Sequence, residues 1–187
     1  MELKTIYFDN PGKENTAEVL RVAAQRGKEL GLKTVVVAST TGEVAMAALE
    51  TLKGFNLVIV THCTGLREPD VQEFPADTRR SLEAKGVRVV TVTHAFGGLS
   101  MAMRKKFNNQ ALGDIIANTL RIFGHGMKVC CEVVLMAADA GAVRTDEQVI
   151  AIGGFNNGAD TAIVCKPVNA QRFWDMKVQE VLCKPHF

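Results

Sequence analysis

Residues 35–48 read VVVASTTGEVAMAA. Three valines and an alanine form a short apolar run that stops at Ser39-Thr40-Thr41-Gly42. Helical spacing then begins at once, with Val44, Ala47, Ala48 and Thr51 on one face and Gly54 as the stop. A short, nearly continuous β-branched run marks a strand buried on both faces, and a helix directly behind it starts a crossover to a parallel neighbour. The stretch also poses a chemical question. The hydroxyl-rich turn either serves only to open the helix or also receives an anion.

The same unit recurs on both sides. Residues 4–8 (KTIYF) read as a strand, Asn10-Pro11-Gly12 as a turn, and Asn15 with Glu18 as the capping box of a helix through Leu20, Ala23, Ala24, Gly27 and Leu30 that ends at Gly31. Strands follow at 34–38, 57–61 and 87–93, with a helix from Pro75 to Lys85 closed by Gly86. Residues 110–123 form an amphipathic helix that breaks at Gly124-His125-Gly126. Residues 127–140 are apolar almost all round and read as a buried helix, with a strand as the alternative because of Val133 and Val134. Residues 148–152 and 161–165 are strands, and 178–183 suits a sheet edge. The expectation is one α/β domain over residues 1–187, a three-layer, mostly parallel sheet with helices on both faces.

Composition narrows the function classes. Hydrophobic residues make up 47%, charged residues 22%, and the formal net charge is +2. That balance is ordinary for a globular protein and gives no reason to expect nucleic-acid or membrane partners. No apolar run has transmembrane length and no leader pattern opens the chain, so a cytoplasmic location is expected. Five cysteines, none in a Cys-x-x-Cys pair, argue against disulfides and structural zinc. No His/Cys/Asp/Glu spacing suggests a metal site.

In an open parallel sheet, ligands bind beyond the carboxyl ends of the strands. The residues leaving those ends are Asp9-Asn10-Pro11-Gly12, Ser39-Thr40-Thr41-Gly42, Thr61-His62-Cys63-Thr64-Gly65, His94 with Phe96-Gly97-Gly98, and the loop from Gly153 to Thr161. Glycine in every one of them, with hydroxyls, amides or imidazoles beside it, points to a pocket on one edge. Ser39 to Gly42 has the best physics for phosphate: unsatisfied N–H groups, a positive dipole end and three hydroxyls. Plain helix capping by Ser39 or Thr41 is the competing account. The turn is neither a Walker A loop nor a dinucleotide fingerprint.

The stretches YFDNPGKENT (7–16), VVVASTTGEVA (35–45), FGHGMKVC (123–130), MAADAGAV (136–143) and GGFNNGADTAIV (153–164) resemble a family of small, functionally uncharacterised proteins of archaea and bacteria. That family has the fold of the pyruvate kinase C-terminal domain, standing alone. In pyruvate kinases this domain holds an effector site, where a Ser/Thr-rich loop and a Gly-rich loop grip a sugar bisphosphate. Ser39–Gly42 resemble the first loop and Gly153–Thr161 the second. For the standalone family the resemblance implies flavin mononucleotide (FMN) as the cofactor. Its phosphate would sit on Ser39, Thr40, Thr41 and Gly42, and by strand-end geometry the rest of the ligand would meet Thr61, His62, Gly65, His94, Gly153, Gly154, Gly158, Asp160 and Thr161. The resemblance brings no reaction with it, and these residues contain no catalytic barrel of the kinase. The expectation is therefore a small phosphorylated ligand, either in a flavin-dependent oxidoreductase or in a non-catalytic sensor of a sugar phosphate. A homo-oligomer is left open.

Other residues invite chemistry. His62 and Cys63 are adjacent, but neighbours on extended chain point to opposite faces, which argues against a catalytic pair. His62 and His94 can flank one pocket if their strands are adjacent. His125 suits a C-terminal helix cap or hinge. Glu132, in an apolar segment, needs a partner, and Lys128 one turn earlier is the simplest one. Phe96 to Lys106 reads as a long loop, a lid or an interface.

Overall fold

A computed structural model describes residues 2–187. The valines of β2 (Thr34–Ala38) show what organises the fold. Val35 and Val37 point to one side of the sheet and Val36 to the other, and all three are fully buried. This is the two-residue period of a strand covered on both faces. The strand pairs in parallel with β3 (Asn56–Val60) on one flank and β5 (Val149–Gly153) on the other.

The full sheet has seven strands in the order β1-β7-β6-β5-β2-β3-β4. The other strands are β1 (Ile6–Phe8), β4 (Arg88–Val90), β6 (Thr161–Lys166) and β7 (Lys177–Pro185). β6 runs against both neighbours, and the remaining pairings are parallel. Helices α1 (Thr16–Glu29), α2 (Glu43–Thr51) and α3 (Ala76–Glu83) cover the Val35 face, with Val19, Leu20, Ala45, Ala48 and Leu82 buried against it. Helices α5 (Leu112–Arg121) and α6 (His125–Asp139) cover the Val36 face. The three-layer α/β expectation therefore holds.

Several details differ from the sequence reading. β7 is not an edge: Ile6 pairs with Cys183, so the short β1 closes the sheet outside it. β4 ends at Val90, not residue 93. Beyond it Thr91 is held by side chains, its hydroxyl 2.7 Å from Thr61 Oγ1 and bonded by Arg79. Asn15 does not cap α1: its backbone is helical, and its amide donates to the Asn10 carbonyl at 2.8 Å, tightening the preceding turn. Residues 96–106 are not a long loop. Gly98–Phe107 form helix α4, which buries none of its residues and so lacks the apolar stripe that would announce it. Residues 127–140 are a helix, α6, and not a strand. It starts at His125, so that histidine opens a helix and does not close one.

Candidate functional site

The parallel strands bring their carboxyl ends to one edge, where a cavity of about 280 Å³ opens. Its wall is built from the β2–α2 turn (Ser39, Thr40), the end of β3 (Thr61, His62), His94 beyond β4, the first turn of α6 (His125, Lys128) and the β5–β6 loop (Gly154–Gly158).

Two glycines decide why α6 starts here. A Cβ on Gly126 would lie 2.2 Å from Thr161 Oγ1, and one on Gly153 would lie 2.9 Å from the Gly126 carbonyl. Only glycine at both positions lets the helix start pack on β5 and β6. The α6 N-terminus, with a positive dipole end, faces the cavity through His125 and Lys128, and the β2–α2 turn adds Ser39 and Thr40.

The side chains form two linked networks. His62 Nδ1 lies 2.7 Å from Glu73 Oε2 and its Nε2 lies 3.3 Å from Thr40 Oγ1. Arg67 Nε holds the other Glu73 oxygen at 3.1 Å. The His62 and His94 rings meet edge to face at 5.2 Å, as their adjacent strands require. His94 Nε2 accepts the Cys63 N–H at 3.4 Å. In the second network Glu132 pairs with Lys128 and accepts the N–H groups of Phe96 (2.9 Å) and Gly97 (3.3 Å).

Electrostatics follow from burial and neighbours. Burial lowers the His94 value below its ordinary 6.5, helped by His62 and Lys128 and opposed by Glu132. Burial also lowers His125, with Lys128 and Arg121 acting in the same direction. For Glu132, burial pushes up, but Lys128, His94 and the Phe96 N–H outweigh it and hold the carboxyl below its ordinary value. The His94 and His125 imidazoles therefore favour the neutral form, and Glu132 the anion.

The predicted site residues divide into two groups. Ser39, Thr40, Thr61, His62, His94, Gly154 and Gly158 line the cavity. Thr41, Gly42, Gly65, Gly153, Asp160 and Thr161 do not. Ser39 Oγ also accepts the Ala45 N–H at 3.2 Å, so it is a helix cap, as the simpler account had it. Gly42 has φ +91° and faces Thr78, and Gly65 turns its own loop through a bond from its N–H to the Val71 carbonyl at 2.9 Å. Asp160 is buried and accepts the Gly12 N–H at 3.1 Å and the Thr161 hydroxyl at 2.7 Å, anchoring the β5–β6 loop to the chain's first turn. Burial raises its carboxyl above the ordinary value, against those two hydrogen bonds.

Sequence reading did not find Arg67 and Glu73, which reach the site from a loop whose spacing carries no motif. It also missed the placement of His125 and Lys128 in the cavity wall, although Gly124-His125-Gly126 was the signal for a close helix approach.

These features define a three-layer α/β domain with a donor-rich cavity at the carboxyl edge of its sheet. The chain matches the pyruvate kinase alpha/beta domain family over residues 17–165 and belongs to it. Among solved structures it is similar to Cryptosporidium parvum pyruvate kinase, at 12% identity and TM-score 0.39 over 80% of this chain. A second structure of that enzyme, in complex with ADP, matches at 13% identity and TM-score 0.41 over 83% of this chain. The chain spans only 22–23% of the length of those enzymes.

Proposed function

We propose that the cavity binds a small phosphorylated ligand of mononucleotide size, with FMN the first candidate. The observation that supports this reading is the convergence on one cavity of the α6 N-terminus, the Lys128 ammonium, the Thr40 hydroxyl and the glycine-rich β5–β6 loop. Such a donor set suits a phosphate better than an apolar or cationic ligand. The phosphate moves from its expected place. Thr41 and Gly42 lie off the wall, so Thr40, Lys128, the α6 N-terminus and Gly154–Gly158 are the residues that would hold it.

About 280 Å³ lies just below the usual range of ligand pockets, about 300 to 1,000 Å³. That space suits a phosphate and a polyol chain. A flavin ring would need the open mouth, where Phe155 is 46% exposed and packs edge to face on His125. Bound FMN would supply redox chemistry, and the protein's part would be to hold and orient it. A non-catalytic sensor of a sugar phosphate is the second reading, favoured by the small volume.

Purified protein is tested by flavin absorbance, by mass spectrometry of co-purifying small molecules, and by thermal shift with FMN and with sugar phosphates. Flavin co-purification or stabilisation by FMN is expected. Thr40→Val removes one donor and should weaken binding about tenfold, the equivalent of about 1.4 kcal/mol. Colourless protein stabilised by sugar phosphates and not by FMN selects the sensor reading. No stabilisation by either sinks both.

A further inference from the structure

Thr40, His62 and Glu73 come from three separate segments and stand in line. Thr40 Oγ1 lies 3.3 Å from His62 Nε2, and His62 Nδ1 lies 2.7 Å from Glu73 Oε2. A carboxylate can only accept, so Nδ1 carries the proton given to Glu73. In the tautomer with its proton on Nδ1, the lone pair is on Nε2, facing the Thr40 hydroxyl. Arg67 fixes the second Glu73 oxygen at 3.1 Å. The His62 carbonyl accepts the Thr61 hydroxyl at 2.8 Å and the Gln72 amide at 3.0 Å, so backbone and ring are both held. Thr40 and His62 line the cavity, whereas the Glu73 side chain is only 18% exposed. The ring is thus open to a ligand and its carboxylate is withdrawn behind it. Hydroxyl, imidazole and carboxylate in this order and within this reach form the arrangement that activates a nucleophile, and the longer first contact is usual without substrate.

We propose that Thr40, His62 and Glu73 make the cavity an esterase site for a carboxylic ester of an anionic, phosphorylated small molecule. The proposal rests on the phosphorylated-ligand reading for the charge of its substrate, but it gives Thr40 to the ester carbon, so that Lys128, the α6 N-terminus and Gly154–Gly158 alone hold the phosphate. Thr40 Oγ1 bonds to the ester carbonyl carbon as its proton passes to His62 Nε2. Collapse of the tetrahedral species breaks the bond to the alkoxide, which leaves with the proton from His62. Water then attacks the acyl-Thr40 carbon and gives a proton to His62. The carboxylic acid departs, and Thr40 recovers that proton. The balance is ester plus water to acid plus alcohol, without oxidation or reduction. Thr40 and His62 are the catalytic residues, and Glu73 is a positioning residue that fixes the ring and its tautomer.

A fluorophosphonate probe tests this directly, because an activated hydroxyl displaces its fluoride and keeps the phosphorus. Intact mass and peptide mapping of the full chain should show one adduct per chain, at Thr40, and none in Thr40→Val. His62→Gln should slow attachment by about 10²–10⁴-fold. Glu73→Gln should slow attachment without weakening the reversible probe complex, and Glu73→Asp should recover part of the rate. A merely structural Glu73 would move both quantities together. Matched circular dichroism spectra establish that the variants are folded. No adduct at Thr40 in the wild type, or labelling of His62→Gln at the wild-type rate, overturns the proposal. Protection of Thr40 by FMN supports a single shared cavity. Labelling without any FMN binding sinks the flavin reading alone, and FMN binding without labelling sinks the esterase alone.

Discussion

Glu132 has more partners than any other acid at the cavity: the Lys128 ammonium, the Phe96 N–H and the Gly97 N–H. Its side chain is 5% exposed and that of Lys128 is 11% exposed. Removing one member of a buried pair leaves an uncompensated charge, which typically costs about 3–5 kcal/mol. Glu132→Ala is therefore expected to lower unfolding free energy by about that amount in urea titration. Glu132→Gln keeps an acceptor for the two N–H groups and should cost less, about 1–3 kcal/mol. Equal losses from both would show that the charge, and not the backbone contacts, dominates. This pair was legible from the sequence, because an acid in an apolar helix must be neutralised and Lys128 lies one turn away. The partners from the 96–97 turn were not, since nothing local links residue 96 to residue 132. Ser39 shows the opposite limit. Three hydroxyls in a row read as a phosphate cradle, yet one of them is the helix cap, and only the fold could say which.

At the scale of elements, the β2–α2 joint depends on Gly42. Its φ of +91° belongs to the left-handed region, and a Cβ there would lie 2.9 Å from Thr78 Cγ2. An L-residue in that conformation costs about 1–2 kcal/mol. Gly42→Ala should lose at least that much stability, read as a lower denaturant midpoint at unchanged slope. A neutral outcome would mean the turn relaxes without strain. The strand–turn–helix form of this joint was plain in the sequence, because a β-branched run and a helical period meet there without a gap. The same logic recovered α1, α3, β3, α5 and the buried character of α6. It failed for α4, whose ten residues have no buried face, and for β7, whose outer neighbour β1 lies at the other end of the chain. Local period reports local burial, so elements defined by distant pairing stay invisible to it.

For the molecule as a whole, the cavity makes stability depend on pH. His94 faces Glu132, His62, Lys128 and Glu73, and His125 faces Lys128, Arg121 and Glu132. Both imidazoles are held below the ordinary 6.5 in the folded chain, chiefly by burial. Unfolded chains therefore bind more protons than folded ones once pH falls through that value, and stability drops with pH there. Glu132 is depressed, so its contribution is present above the ordinary carboxylate value and is lost only at more acid pH, as pH falls through the folded value. Asp160 is raised above its ordinary 3.8, so its charged form disfavours folding and acidification relieves that cost, opposing the histidines near the acid end. The expected result is a lower Tm at pH 5 than at pH 7.5, where about 1 kcal/mol corresponds to about 2–4 °C for a chain of this length. His94→Gln with His125→Gln should flatten that slope. An anion in the cavity favours the protonated rings, so inorganic phosphate should stabilise more at pH 5.5 than at pH 7.5. A pH-independent Tm would refute the electrostatic account, and equal stabilisation by phosphate at both values would place the anion away from these two rings.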